Sequence, residues 1–164
     1  MTLNLSNHAK SIQEILEKCK LTCKVVELPH STRTAYDAAK TIGCSISHIV
    51  KSLIFKTSIS HKPILILVSG SNQVNEEKIE SLLNEKLVKA PASFVKEVTG
   101  FSIGGIPPIG HKNPIDTIYI DQDLLKLDEV WAAAGTSHAV FSISVKKLLT
   151  IVNGKTIDLS QKKG

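Results

Sequence analysis

The feature that most constrains the fold is an unbroken aliphatic run, Ile64–Val68, which lies between Pro63 and Gly70. An apolar run without polar alternation is typical of a strand that is covered on both faces. The run is far shorter than the roughly 20 apolar residues that cross a bilayer, so no membrane partner is expected. The sequence therefore predicts a sheet in which residues 63–70 form a central strand.

The other segments show helix and strand patterns in an irregular order. Apolar spacing predicts helices over residues 7–20, 35–42, 92–99 and 145–152. Thr34, in a capping-box pattern with Asp37, and Asn75 are expected as N-caps, the latter opening a further helix, and Gly43 is expected as a helix stop. Strands are expected at 25–28, 49–56, 115–121, 129–134, 139–144 and 155–159. Because strands and helices do not alternate regularly, a doubly wound parallel sheet is disfavoured, and we predict a mixed sheet that curls into a barrel with helices outside.

Length and composition indicate one globular domain. The 164 residues are 42% hydrophobic and 21% charged, and a domain typically holds roughly 150 residues. We therefore expect a single domain over residues 1–164, with a loose tail at 161–164. The N-terminus shows no charged segment followed by an apolar one, so no secretory signal is expected and a cytoplasmic location is predicted.

The charge pattern favours a phosphate-bearing partner. Twenty basic residues stand against fifteen acidic ones, and Arg33 is the single arginine. A dispersed lysine excess suits contact with a phosphate backbone, whereas base reading relies largely on bidentate arginine, so DNA is not expected as a partner. The aromatic residues are few and scattered, so an RNA end or backbone is expected rather than a base-stacked tract. The alternative is a soluble basic protein whose charge has no partner.

The cysteines and histidines indicate neither a disulfide framework nor a metal site. The three cysteines are an odd number, and Cys19 and Cys23 do not form a Cys-x-x-Cys pair. No histidine follows at zinc-finger spacing, and no His-Glu-x-x-His pattern occurs. We therefore expect no metal and no cofactor.

Lys51 is the first residue that could carry chemistry. Strand alternation places it on the same face as Ile49, Leu53 and Phe55. An ammonium on an apolar face must reach a partner, water or a cavity, because leaving it dry is very costly. The alternative is that this face meets solvent at a sheet edge, or that the lysine stem extends to water.

The second feature is a glycine- and proline-rich segment, Thr99–His111. Residues 100–114 hold four of the nine glycines and three of the six prolines. Glycine allows a ligand to approach bare amides, and proline stiffens the path, so the loop could aim N–H groups at an anion or a carbonyl oxygen. The segment lacks the ending of a P-loop and the spacing of a dinucleotide fingerprint, which disfavours nucleoside triphosphates and NAD. A tight structural turn is the alternative.

The third feature is Trp131–His138, in which a run of alanines ends at Gly135. Small side chains leave room for a ligand, and Thr136 and Ser137 supply hydroxyls and amides. The alternative is that the small residues only let a helix pack closely. A serine hydrolase with Ser137 as nucleophile is disfavoured, because no Gly-x-Ser-x-Gly elbow surrounds it and no orienting partner for a histidine is evident.

Taken in order, these features resemble the YbaK/EbsC family of aminoacyl-tRNA deacylases, which is related to the editing domain inserted in bacterial prolyl-tRNA synthetases. The matching pieces are Thr34-Ala35-x-x-Ala38-Ala39, Ile49–Leu53, Gly104–His111 and Ala133-Ala134-Gly135. The resemblance runs over roughly residues 8–160. It implies an α/β fold of the α+β type, with a mixed, mostly antiparallel, barrel-like sheet and flanking helices.

The resemblance also implies a function. It implies a trans-editing hydrolase that cleaves the ester of misacylated aminoacyl-tRNA with no metal, cofactor or covalent nucleophile. Lys51 matches the family's functional lysine, Gly105 falls in its glycine-rich loop, and amides around Gly104, Gly105 and Gly135 are expected as oxyanion donors. Substrate contacts are expected from Thr34, Gly104, Ile106, Pro108, Gly110, His111, Ala133, Thr136 and Ser137.

The partners implied are the aminoacyl-tRNA 3′ end and a synthetase such as prolyl-tRNA synthetase. Family members that act on cysteinyl-tRNA typically carry Ser-Ala-Gly where this chain has Ala133-Ala134-Gly135, so the sequence leaves the amino acid open. The alternative to an enzyme is a non-catalytic module that binds tRNA or a synthetase.

Overall fold

The computed structural model describes residues 5–159 of the chain. Its α-helices are α1 (Asn7–Lys18), α2 (Ala35–Ile42), α3 (Glu76–Leu83), α4 (Ala92–Thr99) and α5 (Val145–Ile151). Its strands are β1 (Val26–Glu27), β2 (Ile49–Thr57), β3 (Pro63–Ser69), β4 (Leu87–Lys89), β5 (Thr117–Asp121), β6 (Glu129–Ala133), β7 (Ala139–Ser144) and β8 (Lys155–Ile157). Two short 3₁₀ helices cover Ile46–His48 and Gln122–Lys126. The loose tail expected at 161–164 lies outside the described residues.

The strands form one mixed sheet in the order β1-β7-β6-β2-β3-β5-β8, and β4 pairs with the far end of β2. Four of the described pairings are antiparallel and three are parallel. Strand β3 lies in the middle between β2 and β5, so the aliphatic run predicted to be central is confirmed there. The mixed, mostly antiparallel sheet with flanking helices is confirmed. Within residues 5–159 it is not closed into a barrel, because β1 and β8 remain at its two ends.

Strand alternation in β3 separates two apolar clusters on the two faces of the sheet. Leu65 and Leu67 face the larger cluster, to which α1 contributes Ile12 and Leu16. Ile64, Ile66 and Val68 face the smaller cluster, which Ile79 of α3 covers. Every residue of the run is at most 1% exposed, which is the burial that a strand covered on both faces requires.

The predicted helix caps are present. The Thr34 hydroxyl accepts a hydrogen bond from Asp37 N at 3.0 Å, and the Asn75 side chain accepts one from Lys78 N at 3.2 Å. Helix α2 stops at Gly43 as expected. Helix α3 ends at Leu83, because Asn84 takes a left-handed conformation. Lys86 then lies beyond the helix and pairs with Glu80 at 3.7 Å.

Element ends differ from the sequence-based expectation by a few residues. Helix α1 ends at Lys18 rather than residue 20, where Lys20 has a φ of 62°. The strands expected at 25–28, 115–121 and 155–159 are shorter in the structure. Strand β4 was missed, because three residues carry too little alternation to be recognised.

Removing the Asn75 cap is predicted to destabilise the fold. Asn75→Ala leaves the Lys78 amide without its acceptor, which costs about 1 kcal/mol of unfolding free energy. Urea denaturation measures the change. The matched control is Gln73→Ala, an exposed nearby residue, for which a change within about 0.5 kcal/mol is expected. Equal stability of Asn75→Ala and the unchanged protein would contradict the capping role.

Candidate active site

A cavity of about 720 Å³ opens beside β2. Its walls come from residues 32–38, the middle of β2, the start of the 103–106 loop and β6. Most lining side chains are apolar. The charged groups of the lining are Arg33, Lys51, Glu76 and Lys89. Because three of these four groups are cations, the cavity suits a ligand that is largely apolar but carries negative charge.

The cavity lies where the second edge of β2 is left unpaired. On that edge β6 pairs with Ile49 and Val50, and β4 pairs with residues 55–57, so the edge between them has no strand beside it within the described sheet. Gly70 N donates to Ile49 O at 2.7 Å, which fixes the alternation of the antiparallel ladder with β3. The main-chain groups of Ser52 therefore point away from β3 and toward this gap.

The Ser52 side chain adds an unused polar group to the same wall. Ser52 lines the cavity, and its buried hydroxyl has no hydrogen-bond partner in the described part of the chain. Buried polar atoms are nearly always satisfied. The gap thus presents main-chain and side-chain groups that a bound molecule could satisfy.

Lys51 of β2 is one of the residues that line the cavity. Its ammonium donates to the main-chain carbonyl oxygen of Asn72 at 2.7 Å. Burial lowers the pKa of Lys51, and the negative charge of Asp121 opposes that shift. Within residues 5–159 no carboxylate lies within ion-pair distance of this ammonium. Of the two alternatives left by the sequence, the structure shows a partner and a cavity rather than a solvent-facing sheet edge.

The glycine-rich loop contributes two residues with unusual main-chain amides to the cavity lining. Gly104 and Ile106 line the cavity, and among the described residues neither N–H has an acceptor. Gly104 has a φ of 95°, and a Cβ there would lie 2.6 Å from Arg33 Cγ, so glycine is required at this position.

The N–H groups of Gly105 and Gly135, which were expected to face the substrate, already have main-chain acceptors. Gly105 N donates to Ser102 O at 3.0 Å, and Gly135 N donates to Gly105 O at 2.9 Å. A Cβ at Gly105 would lie 2.8 Å from the Thr136 backbone, so the absence of a side chain lets the two loops meet. These two amides are therefore occupied in the structure and join the loops rather than facing a ligand.

The remaining predicted residues fall into two groups. Thr34 and Ala133 line the cavity together with Lys51, Gly104 and Ile106. Five predicted residues, besides Gly105 and Gly135, are not among the lining: Pro108, Gly110, His111, Thr136 and Ser137.

Two histidines hold the loops that flank the cavity. His111 donates its Nε2 proton to Pro107 O at 2.7 Å, and burial lowers the pKa of this imidazole. His8 of α1 donates through Nδ1 to Gly135 O at 3.2 Å. Gly110 lies against the apolar side chains of α1. The loops are thereby tied to α1 and to each other.

Ser137 does not belong to a catalytic triad. Its hydroxyl lies 3.2 Å from Nδ1 of the neighbouring His138, and in the described part of the chain no carboxylate bonds to that histidine. Its carbonyl oxygen accepts from the Thr32 hydroxyl at 2.9 Å, and so it holds the segment that carries Arg33 and Thr34. Thr136 caps the same turn by accepting from His138 N at 3.1 Å.

Sequence reasoning missed several residues around the site. Tyr36, 65% exposed, and Trp131 both line the cavity. The main-chain oxygen of Asn72 accepts a hydrogen bond from the Lys51 ammonium, and the Asn72 side chain donates one to Asp121. The places of Asn72 and Asp121 in the sequence could have indicated their contact, because polar residues at the ends of neighbouring parallel strands meet at one edge of a sheet.

Residues 5–159 contain neither a cluster of metal-ligating side chains nor a membrane-spanning helix. No cluster of three or more histidine, cysteine, aspartate or glutamate side chains is placed to hold a metal ion in this range. Among the described helices, none is both long enough and apolar enough to span a membrane.

A family model shows to which protein family the chain belongs. The family model described as an aminoacyl-tRNA editing domain matches residues 30–151, which include the cavity-lining residues of β2, the glycine-rich loop and β6. This chain belongs to the aminoacyl-tRNA editing domain family. The resemblance found from the motifs is confirmed.

Known proteins and solved structures resemble this editing domain over much of its length. YwhH of Bacillus subtilis, described as uncharacterized, is 32% identical over 124 residues, which cover 76% of this chain and 78% of that protein. The proline–tRNA ligase of Limosilactobacillus fermentum is 34% identical over 116 residues, which cover 68% of this chain but only 20% of the ligase. A solved structure described as a candidate trans-editing enzyme for prolyl tRNA synthetase is 42% identical, with a TM-score of 0.89, and the match covers 97% of this chain and 100% of that one.

Filling the junction between the two loops of the editing domain is predicted to destabilise it. Gly105→Ala forces a methyl group against the Thr136 backbone, and overpacking of this kind costs about 1–3 kcal/mol. Chemical denaturation measures the change. Ser102→Ala is the matched control, since it removes an exposed hydroxyl from the same loop and leaves the main-chain acceptor in place. If both variants unfold at the same denaturant concentration as the unchanged protein, the loop junction does not need glycine.

Proposed function

We propose that this editing domain is a trans-editing hydrolase that removes a wrongly attached amino acid from the 3′ end of tRNA, using neither a metal nor a covalent nucleophile. One observation carries the proposal: Lys51, whose ammonium has no carboxylate partner in residues 5–159, lines the same cavity as Gly104 and Ile106, whose N–H groups have no acceptor among those residues. Family membership supplies the substrate class.

The chemistry needs little beyond positioning and charge stabilisation. Water adds to the ester carbonyl carbon and gives a tetrahedral oxyanion, and the ester C–O bond then breaks. The tRNA hydroxyl leaves with a proton from the attacking water, and the free amino acid is released. The described lining holds one carboxylate, Glu76 in the first turn of α3, and we assign the positioning of water to the 2′-hydroxyl of the substrate itself rather than to this residue.

The free amides of Gly104 and Ile106 are the proposed oxyanion donors. One well-placed backbone donor is worth on the order of 10²–10³ in rate, or roughly 3–4 kcal/mol. This assignment replaces the expected donors Gly105 and Gly135, whose N–H groups are already bonded. Gly105 and Gly135 are instead proposed to position the loop that carries the donors.

Lys51 is the proposed cationic group of the reaction. Its ammonium lacks a carboxylate partner in residues 5–159, so its charge is available to a phosphate or hydroxyl of the terminal adenosine, or to the developing oxyanion. Arg33 and Lys89 lie on the same lining and would attract the phosphates of the preceding nucleotides.

The amino acid is proposed to be chosen by size. Ala133 and Ile106 restrict the apolar part of the cavity, and one methylene is worth about 1–3 kcal/mol in such a pocket. The likeness to the candidate trans-editing enzyme supports action on tRNA charged by prolyl-tRNA synthetase. We further propose that the protein acts in the cytoplasm as a single domain.

The competing function is a non-catalytic module that binds tRNA or a synthetase. A docking surface has no need of a glycine-lined cavity with free amides, and this favours the enzyme. A gel shift with tRNA in the absence of any deacylation would instead favour the module.

A serine hydrolase would be labelled at Ser137 by a fluorophosphonate, and no label is expected.

Replacing Lys51 with alanine is predicted to abolish hydrolysis of aminoacyl-tRNA while leaving the melting temperature nearly unchanged, because the ammonium stabilises substrate charge rather than the core. Single-turnover deacylation and thermal unfolding measure the two effects. The matched control is Lys56→Ala, on the same strand but outside the cavity lining, for which activity should persist. Full activity of Lys51→Ala would contradict the role of the amine.

Rising salt is predicted to weaken substrate binding. Contacts of Arg33 and Lys89 with phosphates release counterions, so KM for aminoacyl-tRNA should rise steeply with salt while kcat changes little. The double variant Arg33→Gln, Lys89→Gln should show a shallower slope. A KM that is independent of salt in the unchanged protein would contradict phosphate contact at this mouth of the cavity.

A further inference from the structure

Asp121 is a buried carboxylate outside the cavity lining. It lies at the end of β5 and is 0% exposed. Three N–H groups fix its two oxygens: Oδ2 accepts from Ser69 N at 3.1 Å and from the Asn72 side chain at 2.8 Å, and Oδ1 accepts from Asp123 N at 2.9 Å. Moving a carboxylate out of water costs desolvation free energy, and favourable electrostatic interactions must offset that cost.

Asn72 joins this carboxylate to the cavity. Its side-chain Nδ2 donates to Asp121 at 2.8 Å and to Asp123 at 2.9 Å. Its main-chain oxygen accepts from the Lys51 ammonium at 2.7 Å. The same residue therefore touches both the buried acid and the amine, and its orientation is fixed from the acid's side.

The geometry points to Asp121 as a positioning residue: acting through Asn72, it holds the Lys51 ammonium at the cavity in the orientation that the substrate meets. The inference deepens the proposed function and rests on it for the consequence in activity. The acid does not touch the cavity and so takes no direct part in the reaction.

The negative charge of Asp121 shifts the pKa of the Lys51 amine in a predictable direction. Burial lowers the pKa of Lys51, and Asp121 raises it. Removing the negative charge while keeping the shape therefore lowers the pKa further, and the ammonium loses its proton at a lower pH. The alkaline limb of activity should move to lower pH.

Other charged groups near the amine must be considered. Arg33, Glu76 and Lys89 share the cavity lining. Asp123, on the far side of Asn72, is one-third exposed and pairs with Lys126 at 3.1 Å. Water and Lys126 screen its charge, so its influence on Lys51 should be smaller than that of Asp121.

The test compares Asp121→Asn with Asp123→Asn in the full chain. For Asp121→Asn we expect kcat to fall on the order of 10²-fold, as a misplaced group can cause, with KM for aminoacyl-tRNA little changed. Its alkaline limb should lie at lower pH than that of the unchanged protein. Asp123→Asn should show a distinctly smaller shift. A role in stability alone would lower the melting temperature and leave the limb in place.

A second measurement does not depend on activity. In protein with ¹³Cε-labelled lysine, the Lys51 signal is assigned by its absence in Lys51→Ala, and its titration midpoint is followed by NMR. The midpoint should fall in Asp121→Asn. If Asp121→Asn does not fold, Asn72→Ala is measured instead, because it keeps the main-chain acceptor and removes the link to the acid, and its midpoint should also move.

Two results would overturn the positioning role. The first is a Lys51 midpoint that is the same in the unchanged protein and in the folded variant. The second is an Asp121→Asn enzyme with unchanged kcat and pH profile. Absence of hydrolysis by the unchanged protein, together with a shifted midpoint in the variant, would overturn the proposed function alone and leave the positioning of the amine in place.

Discussion

The site depends on a single hydrogen bond, from the Lys51 ammonium to the main-chain oxygen of Asn72. An ammonium beside apolar walls would be very costly without a partner, and this bond satisfies it without neutralising its charge. A carboxylate in direct contact would have made a closed ion pair with little left for a ligand. Instead, the ammonium contacts the carbonyl oxygen of Asn72, and the carboxylate of Asp121 lies on the other side of Asn72. This arrangement keeps the amine ordered and cationic.

The rest of the fold makes room for that amine. Strand β2 pairs on one edge with β3 throughout, but on the other edge only at its two ends, with β6 and with β4. The gap between those short pairings is the cavity. The glycine-rich loop closes one wall of it, and the hydrogen bond from Gly135 to Gly105 ties this loop to the turn after β6. Elements distant in sequence are thus joined by main-chain groups where side chains would not fit.

Much of the fold and part of the site could be predicted from sequence. The aliphatic run predicted a central strand, and Lys51 stood out because a charge interrupts an apolar strand face. The glycines and prolines of residues 100–114 indicated a special backbone path, but composition does not say whether a glycine amide faces a ligand or another loop. Asp121 and Asn72 were missed because their contacts join separate strand ends, and no local pattern reports such a contact. Strand β4 was missed because its three residues pair with β2 only in the assembled sheet.

The central claim is that this cavity hydrolyses an aminoacyl ester. The most direct measurement is a deacylation panel in which the full chain is mixed with tRNA charged with alanine, serine, threonine, cysteine or proline. The account predicts release of at least one small amino acid, with size deciding between them. Binding of tRNA with release of none of the five would contradict it.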